Sequence, residues 1–133
     1  MARYSVDVAL RWSDMDVFGH VNNNKYLVLL EEARVALMFD EAGEAGLGGF
    51  REGIVVARHE IDYLLPVTVP AAARVELWVE QVGNASFAVA YEVYADDKMC
   101  ARAKSVLVPY DVDERRPRRL TEPELEFLRR WQD

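Results

Sequence analysis

Arg11-Trp12-Ser13-Asp14-Met15-Asp16-Val17-Phe18-Gly19-His20-Val21-Asn22-Asn23-Asn24 joins two segments of different periodicity. Before it, Tyr4, Val6, Val8, Leu10 and Trp12 alternate with Arg3, Ser5, Asp7, Ala9 and Arg11, as in a strand with one buried face. After it, an Asn at 23 or 24 supplies a helix N-cap. Tyr26, Leu30, Ala33 and Leu37 then form one helical stripe, supported by Leu27, the stem of Arg34 and Met38. The connection holds two carboxylates, an imidazole and three side-chain amides, which is more polar chemistry than a turn needs. A carboxylate close to a helix N-terminus suits catalysis, because the helix end stabilises negative charge.

Beyond the helix, Gly43, Gly46, Gly48 and Gly49 end it and open a flexible connection. From Gly53 to Tyr110 the pattern is that of antiparallel strands. Val55, Ala57, His59, Ile61 and Tyr63 alternate until Pro66 and Pro70 interrupt. Val75, Leu77 and Val79 form the next buried face, with Trp78 on the outward one, and Gly83-Asn84 makes a hairpin turn. Phe87, Val89, Tyr91 and Val93 follow, then a turn at Asp96-Asp97 and a last strand from Cys100 to Val108. Thr121-Glu122-Pro123-Glu124 is a capping box that opens a short helix carrying Leu125, Leu128 and Trp131. The order predicts an α+β fold over residues 1–133 as one domain, with a five-stranded antiparallel sheet wrapped around one long helix. An edge to protect and the outward Trp78 point to a dimer.

At 133 residues the chain is long enough for a core without staples, and with 51% apolar and 29% charged residues it has a globular composition. Its formal charge of −7 argues against nonspecific nucleic-acid binding. Apolar runs are too short for a membrane span, and the N-terminus lacks an apolar signal core. The lone Cys100 excludes an internal disulfide and suits a reducing cytoplasm. Arg115-Arg116-Pro117-Arg118-Arg119 is either a solvated linker or a segment facing phosphate or a partner.

Asp14-Met15-Asp16-Val17-Phe18-Gly19-His20-Val21-Asn22-Asn23-Asn24-Lys25-Tyr26-Leu27, followed by Glu31-Glu32-Ala33-Arg34, resembles the opening motif of hotdog-fold acyl-CoA thioesterases of the 4-hydroxybenzoyl-CoA thioesterase group. Gly53-Ile54-Val55-Val56 and Tyr63-Leu64-Leu65-Pro66 match that family's next strand. The resemblance implies the hotdog fold, paired into a homodimer with the active site between protomers, and commonly assembled further into a tetramer. It implies hydrolysis of an acyl-CoA to a free acid and coenzyme A, with no cofactor and no metal. Asp16 takes the position of the catalytic carboxylate, as nucleophile or general base. The main-chain N–H of Asn23 takes the position of the donor to the thioester oxygen. The aromatic residues of the hydroxybenzoyl-specific enzymes are replaced here by His20, Asn22 and Asn23, which resembles the broad acyl-CoA branch.

The residues leave alternatives open. Asp16 and Asp14 can cap a turn, and the Asn residues can be turn and cap residues. His20 either fixes the loop or tunes Asp16. Asn22, Tyr26, Arg58 and His59 are candidate substrate contacts: Arg58, like Arg102 and Lys104, for the phosphates of coenzyme A, and His59 as a pocket-wall or core histidine. Asp14, Asp16 and His20 could in principle ligate a metal, but no ligand spacing repeats. Glu31 and Glu32 face either a pocket or solvent. Two other functions compete, an enoyl-thioester hydratase or dehydratase on the same fold and a non-catalytic acyl-CoA-binding protein.

Overall fold

The structure, a computed structural model, describes residues 2–68 and 72–133, so Pro70 lies outside the described residues. Strand β1 (Tyr4–Val8) leads through a 3-10 turn (Trp12–Asp14) and the polar loop to helix α1 (Lys25–Val35). That helix runs on through a π-helical segment (Ala36–Glu41) into a last α turn, α2 (Ala42–Glu44). A single turn α3 (Gly49–Glu52) precedes β2 (Ile54–Tyr63), β3 (Ala73–Val82), β4 (Phe87–Ala95) and β5 (Lys98–Asp111). A two-residue strand β6 (Arg116–Pro117) and helix α4 (Glu122–Arg130) complete the order.

The main sheet is antiparallel in the order β1-β3-β4-β5-β2, with β6 beside β5. The long helix lies on one face of it, as the hotdog fold requires. Leu30, Ala33 and Leu37 are fully buried and Tyr26 is 3% exposed, packed on Val75, Leu77, Val89 and Leu107 within one core. Each such large apolar side chain contributes roughly 1.5–3 kcal/mol by leaving water. Turn chemistry sets the hairpins: Gly83 N–H donates to Ser86 O at 2.8 Å, and Asp96 and Asp97 both take positive φ, as the tight turn of a two-residue hairpin demands. Gly53 is needed for a different reason: a Cβ there would collide with the Tyr110 carbonyl.

Several expectations are corrected. The first strand ends at Val8, not Trp12, and Trp12 is exposed, because the chain turns away from the sheet into the 3-10 turn. Leu27 is half-exposed, and its place on the stripe is taken by Leu29. The glycine connection is not wholly irregular, since α3 buries Phe50. The alternation of β2 breaks at a bulge between Val56 and Arg58, which leaves Val55 and Ala57 exposed. In α4 the fully packed residues are Phe127 and Leu128, with Leu125 and Trp131 only partly buried.

The capping box of α4 forms as its spacing predicts: Thr121 Oγ1 accepts from Glu124 N–H at 3.3 Å, and Glu124 Oε1 accepts from Thr121 N–H at 2.9 Å. Glu124 also takes both arms of Arg118 at 2.9 Å, so part of the basic cluster anchors this helix. The chain end then pairs along β3, where Val79 N–H donates to Trp131 O at 2.8 Å. Trp78, on the outer face, lies under the Arg3 guanidinium at 3.9 Å from the ring centroid, a cation–π contact. Strand β2 is thus the long unpaired edge among the described strands. Among the described residues no helix is long and apolar enough to cross a membrane.

Leu30→Ala is expected to cost about 2–5 kcal/mol in urea unfolding. Leu27→Ala, at a half-exposed position, should cost under about 1 kcal/mol.

Candidate active site

The polar loop is a small hairpin pinned at its base. Met15 bridges Val21, His20 bridges Thr68, and Val21 N–H donates to Val67 O at 2.8 Å. Asp14 is the buried bolt: it accepts from Arg11 N–H at 2.8 Å, pairs with the Arg11 guanidinium at 3.3 Å, and its carbonyl accepts from Asn22 N–H at 2.8 Å. The Arg11 N–H holds the Asp14 carboxyl below its ordinary range, burial opposing and the Arg11 side chain assisting. Asp14 therefore shapes the loop.

Asp16 sits at the tip, half-buried. Its Oδ1 accepts from Phe18 N–H at 2.9 Å and from His20 N–H at 3.2 Å, while Asp16 N–H donates to His20 O at 2.8 Å. Gly19 closes this turn at φ +77°, a conformation that side-chain-bearing residues rarely adopt. Oδ2 has no partner among the described residues. The turn-capping and the free-carboxylate readings of Asp16 thus coexist on its two oxygens.

Asn24 occupies the N-cap position, but its side chain makes no capping bond; Asn22 Oδ1 instead accepts from Asn24 N–H at 3.4 Å. Asn23 N–H has no acceptor among the described residues. The Asn23 carbonyl is held from the other side, by Tyr63 Oη at 2.9 Å. Tyr63 also packs edge-on against Tyr26, ring centroids 5.0 Å apart. Asp16, His20, Asn23 and Tyr26, with Tyr63, Leu64, Leu65 and Pro66, line an open cleft of about 290 Å³. A larger hollow of about 360 Å³ lies on the outer sheet face, but its walls carry surface ion pairs such as Lys104–Glu80 at 2.9 Å. Site chemistry, not volume, selects the cleft.

Four of the seven candidate residues therefore meet, namely Asp16, His20, Asn23 and Tyr26. Asn22 stands behind them as a turn residue. Arg58 is not brought there: it is exposed and pairs with Glu60 at 2.9 Å, just as Arg102 pairs with Asp62 at 3.5 Å. Among the described residues no Arg or Lys lines the cleft. His59 lies further along β2, bonded to Ser105 at 2.7 Å. Sequence reasoning misses Tyr63, Leu64 and Leu65 as site residues. The alternation of β2, which puts Tyr63 on the face of His59 and Ile61, is the available signal. Among the described residues no cluster of three or more His, Cys, Asp and Glu side chains gathers as a metal site.

The chain belongs to the thioesterase-like superfamily, whose model matches residues 10–131. Within that family it is a thioester hydrolase of the hotdog type. It is similar to a predicted thioesterase from Bacillus stearothermophilus, with 26% identity over 99% of this chain and 98% of that one, at a TM-score of 0.87. It is similar also to a thioesterase from Thermus thermophilus whose structure holds coenzyme A and zinc, with 32% identity over 94% and 91% of the two chains, at 0.78. A DHNA-CoA thioesterase from Staphylococcus aureus shares the fold, with 20% identity over 95% and 87%, at 0.80. A search of curated proteins found no match.

Asp14 gives a pH signature. Its ionised form stabilises the fold above the ordinary Asp pKa of about 3.9, and that stability is lost as pH falls through the lowered folded value. At neutral pH the wild type should exceed Asp14→Asn by about 1 kcal/mol in urea unfolding, and the gap should close in acid. A pH-independent gap would contradict this.

Proposed function

We propose that the protein hydrolyses a fatty-acyl or aryl-acyl coenzyme A thioester to the free acid and coenzyme A at the Asp16 cleft. The observation that carries this reading is that Asp16 Oδ2 and the Asn23 N–H, both without a hydrogen-bond partner among the described residues, belong to residues lining one apolar-walled cleft. In this reading the thioester oxygen takes the Asn23 N–H. Charge that develops on that oxygen is stabilised by an oriented donor at the start of a helix. Asp16 acts on the carbonyl carbon directly, as nucleophile, or through water, as general base. His20 holds the turn through its backbone and sits beside Asp16 to orient water.

We further infer a homodimer built on β2, with a tetramer as its onward assembly. Strand β2 is an open edge of ten residues, and Val55, Val56, Tyr63, Leu64 and Leu65 are exposed on or beside it. An edge of this length and apolarity otherwise invites aggregation. Val17 and Phe18, 92% and 77% exposed at the tip of the Asp16 loop, fit coverage by a second protomer. The unpaired, buried Cys100 fits a reducing compartment such as the cytoplasm.

Asp16→Asn is the cleaner test, because an amide oxygen still accepts the Phe18 and His20 N–H groups while the charge is lost. Its kcat on the best coenzyme A thioester should fall about 10²–10⁴-fold with the unfolding midpoint little changed. Asp16→Ala should match it in kcat and be less stable. Turnover by Asp16→Asn close to wild type would remove Asp16 from the chemistry.

A further inference from the structure

The long helix and strand β2 lie side by side and run in opposite directions. At one end Asn23 and Tyr26 meet Tyr63. At the other, Val35, Met38 and Phe39 meet Ile54 and Val56 across a slot of about 200 Å³, which Arg34 and Glu31 also line. This far end coincides with the π-helical segment, a departure from regular geometry often found at binding sites.

Between the two ends a hydrogen-bonded chain passes under the helix. Arg34 Nη1 donates to Tyr91 Oη at 3.2 Å, Tyr91 Oη donates to Ser105 Oγ at 2.9 Å, and Ser105 Oγ lies 2.7 Å from His59 Nδ1. Strand register assembles it, since Ser105 faces His59 across one ladder and Val89 across the other. A guanidinium only donates, so Tyr91 Oη accepts from Arg34 and gives its own hydrogen to Ser105. Ser105 Oγ and His59 Nδ1 share the last bond, in which the imidazole tautomer sets which of them donates. Burial, and then the Arg34 charge, hold the His59 pKa below its ordinary value.

The two inner members are satisfied, with Tyr91 and Ser105 both buried and bonded. Arg34 is a half-buried cation whose one hydrogen bond among the described residues goes to a neutral phenol. Glu31, at the mouth of the same slot, forms no ion pair with it. A cation drawn out of water without an anion is costly. Arg34 follows Asn23 by three helical turns, about 16 Å. His59 precedes Tyr63 by two pleats, about 13 Å. Both ends thus stand at a similar distance from the Asp16 cleft.

We propose that Arg34 forms a second recognition point, which takes a carboxylate at the far end of the acyl group. The preferred substrates are then coenzyme A thioesters of dicarboxylic acids, extended along the crease between the long helix and β2. This rests on the thioesterase reading above. A carboxylate fits Arg34 better than a hydroxyl does, because charge-assisted pairing to guanidinium is the stronger interaction.

The test compares acyl-coenzyme A thioesters of equal length that end in methyl or carboxylate, scanned over chain length. At the matching length the wild type should favour the carboxylate in kcat/KM by roughly tenfold or more. Arg34→Gln should bring that ratio to about one, and Arg34→Lys should keep part of it. A wild type that rejects the carboxylate, or a preference that survives Arg34→Gln, overturns the proposal. So does dissociation of the oligomer by Arg34→Gln in size-exclusion chromatography, which would assign Arg34 to subunit contact. Non-hydrolysable thioether analogues separate this from failure of the hydrolytic reading. If no thioester is cleaved but the carboxylate analogue binds wild type about tenfold tighter than Arg34→Gln by calorimetry, recognition stands and hydrolysis falls; equal binding overturns it.

Discussion

The seating of the long helix in the sheet is the interaction on which the rest depends. Leu30, Ala33 and Leu37 have no exposed surface, and Tyr26 closes the near end of the stripe. Removing so much apolar area from water fixes the helix in rotation and in height. Its first N–H groups cannot then wander from the loop that precedes them. Tyr63 reinforces the placement by holding the Asn23 carbonyl from the edge strand. The position of the Asn23 N–H, which has no acceptor among the described residues, is therefore a consequence of core packing, not of the Asn23 side chain.

The loop is organised by two aspartates with divided roles. Asp14, buried and bonded to Arg11 and Asn22, carries the shape. Asp16 commits Oδ1 to the turn, while Oδ2 has no partner among the described residues. In the proposed reaction, a carboxylate tied down on one oxygen is preorganised, which lowers the cost of orienting it for chemistry. Gly19 makes this possible, because only a residue free to adopt positive φ lets two N–H groups converge on Oδ1.

Much of this was legible in residues alone. The alternation of Val75, Leu77 and Val79 and of Phe87, Val89, Tyr91 and Val93 marks faces that are buried in the structure. The capping box at Thr121 forms as its spacing implies, because such signals are local. What depends on strand order was not legible. The bulge between Val56 and Arg58 changes which side chains of β2 face the helix, and no pattern in that segment announces it. Arg58 reads as a free cation because its partner Glu60 becomes a neighbour only on a strand face. The chain from Arg34 to His59 links four elements and exists only once β4, β5 and β2 are in register. Trp12 continues the alternation of β1, and only the turn of the backbone after Val8 takes it to solvent.

The most direct measurement of the central claim is free-thiol release by the wild-type protein from a panel of acyl-coenzyme A thioesters, saturated, aromatic and α,β-unsaturated. Catalytic thiol release is expected, with many turnovers per protomer on at least one member. Tight binding with no thiol release, or addition of water to the unsaturated member without release of coenzyme A, would contradict it.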